Sequence, residues 1–258
     1  MKKLLSIISV LVFISSCSST KVLHDGQTRL VANKVVVEGD KRDPSTSKST
    51  ISKYIYQTPP ISLWGWNPLI CVYNWTTNGK TKGWDKFVQT IGRAPTVYDS
   101  TKVVKSNENI SNHLFYNGFY NNKVTNNVKT VKKNTWVTYN VTTGSRRKID
   151  KIDFTLPSGG TFATDFIASR KEFPIKKGSI LSEAALDDAA DRIALALRNK
   201  GYYGFTKNYM YFEADTLHTR DSANLKVTVG NYTRYESPKD SITHSIYTFG
   251  DVSITYPE

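Results

Sequence analysis

Three aspartates lie close enough in sequence to be considered as a paired acid and base: Asp187, Asp188 and Asp191. Two carboxylates in one cleft can divide those roles when their surroundings push their pKa values apart. These three fall on the polar side of a stretch with helical periodicity, and the pattern reads more simply as a solvated helix face. The four histidines, His24, His113, His218 and His244, are scattered. None has a second histidine three or four residues away or a cysteine nearby, as a metal site built on one element requires. No glycine-rich phosphate loop and no nucleophile elbow occurs. Cys71 sits in the apolar run Leu69-Ile70-Cys71-Val72-Tyr73 and reads as a small buried hydrophobe rather than a nucleophile. We expect no catalytic residue, no metal and no cofactor.

Cys17 carries a different chemistry. Lys2-Lys3 form a positive n-region, and Leu4 to Phe13 form an apolar h-region. That run is too short to span a bilayer, which takes about 20 residues. It ends in Ile14-Ser15-Ser16-Cys17, which resembles a bacterial lipobox. The resemblance implies a lipoprotein signal peptide over 1–16, cleavage before Cys17, and acylation of the Cys17 thiol and amine by palmitate-type chains. The alternative is an ordinary secretory signal with an incidental cysteine. One acyl chain gives only marginal membrane binding, and several hold firmly. Ser18-Ser19 lacks the aspartate that retains lipoproteins at the inner membrane of enteric bacteria. The expected location is therefore the outer membrane, lipid-anchored on its periplasmic side. With Cys17 acylated, Cys71 has no disulfide partner, so the fold must rest on its cores.

Hydrophobic residues make up 39% of the 258 and charged residues 22%, which are values of a folded chain. The net charge is +13, and +11 once Lys2 and Lys3 leave with the signal peptide. Basic proteins meet nucleic acid, anionic membranes or acidic polymers. The lysines are dispersed, however, and the cluster Arg146-Arg147-Lys148 is only three residues long. We read the charge as solvation and membrane proximity and expect no nucleic-acid partner.

The elements that organise the chain come in two copies. Asp99–Val124 ends its helical part in Leu114-Phe115-Tyr116-Asn117-Gly118-Phe119-Tyr120, and the stretch from Ser182 ends in Leu197-Arg198-Asn199-Lys200-Gly201-Tyr202-Tyr203. The glycines lie 83 positions apart, and Val103, Ile110 and Leu114 match Leu186, Ile193 and Leu197 at the same offset. Within each copy the spacing i, i+7, i+11 marks one helix face. Asp99 and Ser182 can cap the helix starts. Gly118 and Gly201 stop the helices in the left-handed conformation. One ring of each following pair, Phe119-Tyr120 and Tyr202-Tyr203, should enter the core.

Around these copies the pattern places a first unit over 29–144 and a second over 145–234. In the first, Val35-Val36-Val37 forms a strand, Asp43–Ser49 a polar loop, and Ile51, Tyr54 and Ile55 a helix running to about Gln57. Strands follow at Lys123–Val131 and Thr135–Thr143. In the second, Ile149, Ile152 and Phe154 mark a strand, and Thr161 caps a helix carrying Phe162, Phe166 and Ile167. Strands follow at Phe205–Ala214 and Asn224–Gly230. Residues 235–258 read as a polar linker and, from Ile246, the first strand of a third, incomplete unit. An insertion over 59–97 holds Trp64, Trp66, Trp75 and Trp84. Those tryptophans either form an aromatic partner surface or fold back to enlarge the local core.

The order strand–helix–helix–strand–strand, with Gly-aromatic-aromatic after the second helix, resembles a POTRA domain. The phrase Ile91-Gly92-Arg93-Ala94-Pro95-Thr96-Val97-Tyr98-Asp99, the preceding insertion and the lipobox resemble the lipidated BamA/TamA-type (TamL-like) outer-membrane assembly proteins of the Bacteroidetes. The resemblance implies an α+β chain of tandem β-α-α-β-β units, each a three-stranded mixed sheet covered on one face by two helices. It further implies a scaffold without chemistry, whose exposed edges at Lys123–Val131 and Phe205–Ala214 take up an extended segment by β-augmentation. Implied partners are the outer membrane through the lipid, barrel proteins or their unfolded precursors, and an inner-membrane or periplasmic translocation partner. Such proteins continue into further units and a barrel. The chain is either the periplasmic portion of a longer one or a product that acts without a pore. The alternatives are a stand-alone outer-membrane lipoprotein adaptor that binds an envelope polymer or a partner protein, and, more remotely, a hydrolase.

Overall fold

The computed structural model describes residues 20, 22–60, 67–73, 83, 87, 90–158, 160–216, 222–234 and 237–253. The chain divides into two units, residues 1–113 with 122–143 and residues 114–121 with 144–258. Among the described residues no helix is long and apolar enough to cross a membrane.

The first unit runs β1 (Arg29–Glu38), α1 (Lys48–Ser52), α2 (Pro68–Tyr73), α3 (Ser100–Tyr116, through His113 in this unit), β2 (Lys123–Val131) and β3 (Asn134–Thr142). The strand order is β1-β3-β2, with β1 parallel and β2 antiparallel to β3. On β3, Thr135, Val137, Tyr139 and Val141 are buried and alternate with less buried residues, the signature of a sheet covered on one face. Leu30, Val35 and Val37 of β1, Ile51, Ile55, and Val103 and Ile110 of α3 are also buried. The Asp99 carboxylate accepts from the Thr101 amide at 2.9 Å and so caps α3.

The region before β2 departs from expectation at one end. Asp43 caps a 3-10 turn at Pro44–Thr46, and Ser47 then caps α1 through the Thr50 amide. The stretch expected as a polar loop therefore holds two helical starts, and α1 ends at Ser52 rather than near Gln57. Short polar caps, not apolar periodicity, set these boundaries.

The second unit runs β4 (Lys148–Thr155), α4 (Phe162–Ser169), α5 (Glu183–Asn199), β5 (Met210–Asp215) and β6 (Ser222–Val229), then β7 (Tyr232–Arg234) and β8 (Ser237–Ile242). The order β4-β6-β5, parallel then antiparallel, repeats the first sheet. Its core joins Phe162 and Phe166 of α4, Leu186, Ala189, Ile193 and Leu197 of α5, and Leu225 and Val227 of β6. Ser182 caps α5 through the Ala185 amide at 3.2 Å.

Three expectations change here. Thr161 makes no side-chain cap bond, because its hydroxyl lies 3.2 Å from that of Tyr202. The edge strand starts at Met210, not Phe205: Phe205 is buried and a 3-10 turn occupies Lys207–Tyr209. The polar linker holds a strand, β8, paired with β7 at the end of the second unit, while described residues from Ile246 form no strand. In both sheets the first strand is held by the last strand of its own three-stranded sheet, and Ile246–Val252 has no such partner in the described structure.

Both long helices close alike. The Phe119 amide donates to Leu114 O at 3.0 Å and the Gly118 amide to Phe115 O at 2.9 Å; Tyr202 to Leu197 and Gly201 to Arg198 repeat this at 3.1 and 3.0 Å. This six-to-one and five-to-two pairing is a Schellman closure. It needs positive φ at the glycine, here +90° at Gly118 and +99° at Gly201.

Candidate edge-strand interface

Each sheet has two outer strands, and the chain treats them differently. In the first sheet the start of β1 is covered: the Leu30 amide donates to Thr96 O and the Tyr98 amide to Thr28 O, both at 2.8 Å, around an Arg29–Val97 bridge. The Gln57 side-chain amide also donates to the Val97 carbonyl. In the second sheet the Ile149 amide donates to Ser179 O at 2.8 Å and the Leu181 amide to Arg147 O at 2.9 Å, around a Lys148–Ile180 bridge. Thr96, Val97 and Tyr98 correspond to Ser179, Ile180 and Leu181 at the offset of 83 that separates the glycines. One border of each sheet is thus partly closed by the segment leading into the long helix. The opposite borders are β2 and β5. Among the described residues neither pairs with a second strand. Their outward amides and carbonyls form a template for an extended chain.

The two templates differ in charge. Lys123–Thr142, the whole β2–β3 hairpin, contains Lys123, Lys129, Lys132 and Lys133 and no acidic residue. β5 carries Glu213 and Asp215, and Glu213 pairs with Lys226 of β6 at 3.0 Å. Tyr211 stands exposed on β5.

The glycine motifs place their rings at two depths. Phe119 and Tyr202 are buried, whereas Tyr203 is 75% exposed. Tyr120 is half-buried and meets Phe115 edge-on, with centroids 4.9 Å apart. The guanidinium of Arg146 lies 4.6 Å from the Phe119 ring centre, and Arg147 donates to Thr216 O at 2.8 Å. The basic cluster read as solvation thus spends both arginines on internal contacts.

The Tyr202 hydroxyl donates to Asp165 at 2.7 Å, and Lys200 reaches the same carboxylate at 3.4 Å. The Tyr202 hydrogen bond, helped by Lys200, holds the Asp165 carboxyl below the usual carboxylate range. Burial pushes the Tyr202 phenol up. Sequence reasoning missed this cluster because Asp165 precedes Lys200 by 35 residues and no local pattern joins them.

The aspartates form no acid–base pair. Asp187 and Asp191 grip Lys207 at 2.8 and 3.0 Å, and Asp188 pairs with Arg192 at 2.9 Å. The two carboxylates raise the Lys207 pKa and keep it charged. Lys207 therefore belongs to the face of α5, not to the edge strand where the sequence placed it. Cys71 is buried on α2. His113 stacks on Tyr54 at 4.1 Å, and His244 sits among Phe162, Phe205 and Tyr209. Among the described residues no group of three or more potential ligands is placed to hold a metal. Cys17, Trp64, Trp66, Trp75 and Trp84 lie outside the described residues. Gly92, in the phrase after them, approaches α2 so closely that a Cβ there would lie 2.6 Å from the Tyr73 amide nitrogen.

Residues 32–144 match the POTRA family model, described as surface antigen variable number repeat. No curated protein sequence matches the chain. The crystal structure of BamA from Haemophilus ducreyi lacking POTRA domains 1-3 is 19% identical, at a TM-score of 0.33, over 58% of this chain and 27% of that one. This chain thus spans about a quarter of that protein's length. Haemophilus influenzae BamA POTRA3-5 is 12% identical over 81% of this chain and 99% of that one, TM-score 0.31. POTRA1-2 of the periplasmic domain of Omp85 from Anabaena is 11% identical over 81% and 99%, TM-score 0.32.

Proposed function

We propose, from the premise that residues 32–144 form a POTRA domain, that the chain is a scaffold of outer-membrane protein assembly or translocation. It holds unfolded barrel precursors or accessory subunits by adding their extended segments to β2 and β5. The observation that carries this reading is the asymmetry of the borders: among the described residues each sheet is partly closed on one side by its own chain and open on the other. Main-chain pairing tolerates many sequences, which suits a scaffold with varied clients. The Ile14-Ser15-Ser16-Cys17 motif supports anchoring at the outer membrane through acylated Cys17, on the periplasmic side. No step of chemistry is assigned to the protein, since Asp187, Asp188 and Asp191 are each engaged by a cation.

Photo-cross-linking in cells tests the reading. Probes at Thr125 on β2 and Tyr211 on β5 should capture unfolded or barrel polypeptides, and a probe at Val31, at the covered start of β1, should capture far less. Equal capture at all three, or none, counts against it. Mass spectrometry of the purified protein should show an acylated amino-terminal Cys17; an unmodified cysteine removes the anchor.

A further inference from the structure

We propose that the tip of the β2–β3 hairpin is a contact for an anionic phospholipid surface. The hairpin carries four lysines and no acid over Lys123–Thr142. Lys129 and Lys132 are exposed at or beside the tip, and Val131 between them is 46% exposed. Lys129 pairs directly with half-buried Trp136, and directly opposed residues share a face of the sheet. Lysines, a tryptophan and an apolar side chain at one end of the hairpin suit a headgroup boundary, where an aromatic ring sits between apolar and wet layers.

The position of the tip relative to the amino terminus gives the second argument. The Arg29 amide donates to Lys133 O at 2.8 Å, and the Arg29 guanidinium donates to Asn134 at 3.2 Å. The Thr135 hydroxyl donates to that of Thr28 at 2.7 Å, and the Lys133 ammonium reaches the Leu23 carbonyl at 3.5 Å and Asp25 at 3.9 Å. Leu23 is itself buried. The chain is therefore fastened to the hairpin tip from Leu23 onward. Cys17 lies six residues upstream, a reach of about 20 Å when fully extended. This argument rests on the lipid anchor proposed above: an acylated Cys17 would bring the tip, together with the Val97-Tyr98 segment that bonds Thr28, towards the headgroups. Asp25 offsets part of the charge of Lys133, so Lys129 and Lys132 carry most of the attraction.

The test separates the tip from the anchor. Full-length chain carrying Cys17→Ser, so that no acyl chain is present, is floated with vesicles of phosphatidylcholine alone or mixed with phosphatidylglycerol. The same chain with Lys129→Gln and Lys132→Gln is run beside it; the uncleaved signal segment is identical in both. The lysine-bearing chain should prefer the mixed vesicles and lose that preference as salt is raised. Each exposed lysine is worth roughly a fivefold change in partition, so the double variant should bind the mixed vesicles about 25-fold more weakly. Unchanged thermal unfolding of the variant confirms that the fold is intact. Equal binding of the two chains, or no preference for the anionic lipid, overturns the proposal. Lysine-dependent binding to purified peptidoglycan without binding to anionic vesicles also overturns it. A failure of the anchor shows in the mass of the native protein instead and leaves this measurement untouched.

Discussion

The two helix closures share the same pair of closing backbone hydrogen bonds, yet what lies against each glycine differs. A Cβ on Gly118 would stand 2.5 Å from the Leu181 carbonyl oxygen, which belongs to backbone. A Cβ on Gly201 would stand 2.8 Å from Ile246 Cγ2, the end of a side chain that can turn away. The rings differ as well. Phe119 is wholly apolar and lies under Arg146, while Tyr202 anchors its hydroxyl to Asp165. One backbone device therefore serves two surroundings, with side chains tuned to each. The open borders show the same division: the β2 side is basic and acid-free, and β5 carries two acids.

Cutting out the buried rings should give the largest effects. Phe119→Ala should cost about 3–5 kcal/mol, as aromatic truncation in a core does, read from denaturant unfolding. Tyr202→Phe, which keeps the ring and loses only the bond to Asp165, should cost about 1 kcal/mol. If the two losses are equal, the hydroxyl rather than the ring holds the second closure.

The glycines themselves come next. Alanine at either position meets the penalty for positive φ, about 1–2 kcal/mol. Gly118→Ala adds a collision with backbone and should be the worse by about 1 kcal/mol or more. Equal costs would mean that the neighbours of the two glycines yield equally.

Cap removal should be milder and nearly symmetric. Asp99→Ala and Ser182→Ala should each cost about 1 kcal/mol, measured by thermal unfolding.

The smallest effect is a pH dependence. Asp165 has its folded pKa lowered by Tyr202 and then Lys200, and Asp99 by the Thr101 hydroxyl and amide. A lowered carboxylate contributes stability that is complete above its unfolded pKa, about 3.9, and is lost as pH falls through the lower folded value. Melting curves from neutral to acid pH should be flatter for Asp165→Asn than for the parent, with Asp99→Asn behaving alike. A parent curve no steeper than that of Asp165→Asn would contradict this account.

Much of this comparison was legible in the sequence. The spacing of Val103, Ile110 and Leu114 against Leu186, Ile193 and Leu197 marks the faces that the helices bury, because a 3.6-residue period is a local property. The fold class came from the family resemblance that the order of those elements carries. What could not be read were contacts set by distant chain. The covered border depends on Leu30 meeting Thr96, 66 residues away, and only such pairing distinguishes an open edge from a closed one. The start of β5 was misread because aromatic Phe205–Tyr209 has strand propensity, while burial of Phe205 and the grip of Asp187 and Asp191 on Lys207 bend it into a turn. The β7–β8 pair was hidden by Ser237-Pro238-Lys239-Asp240, which has neither alternation nor a full set of donors.

Hydrogen exchange tests the open-border account most directly. The full chain is exchanged alone and with an excess of a barrel polypeptide diluted from denaturant. The account predicts slower exchange in β2 and β5, with little change in β3, β6 and the long helices. Protection confined to the helix surfaces, or no protection along either border, would contradict it.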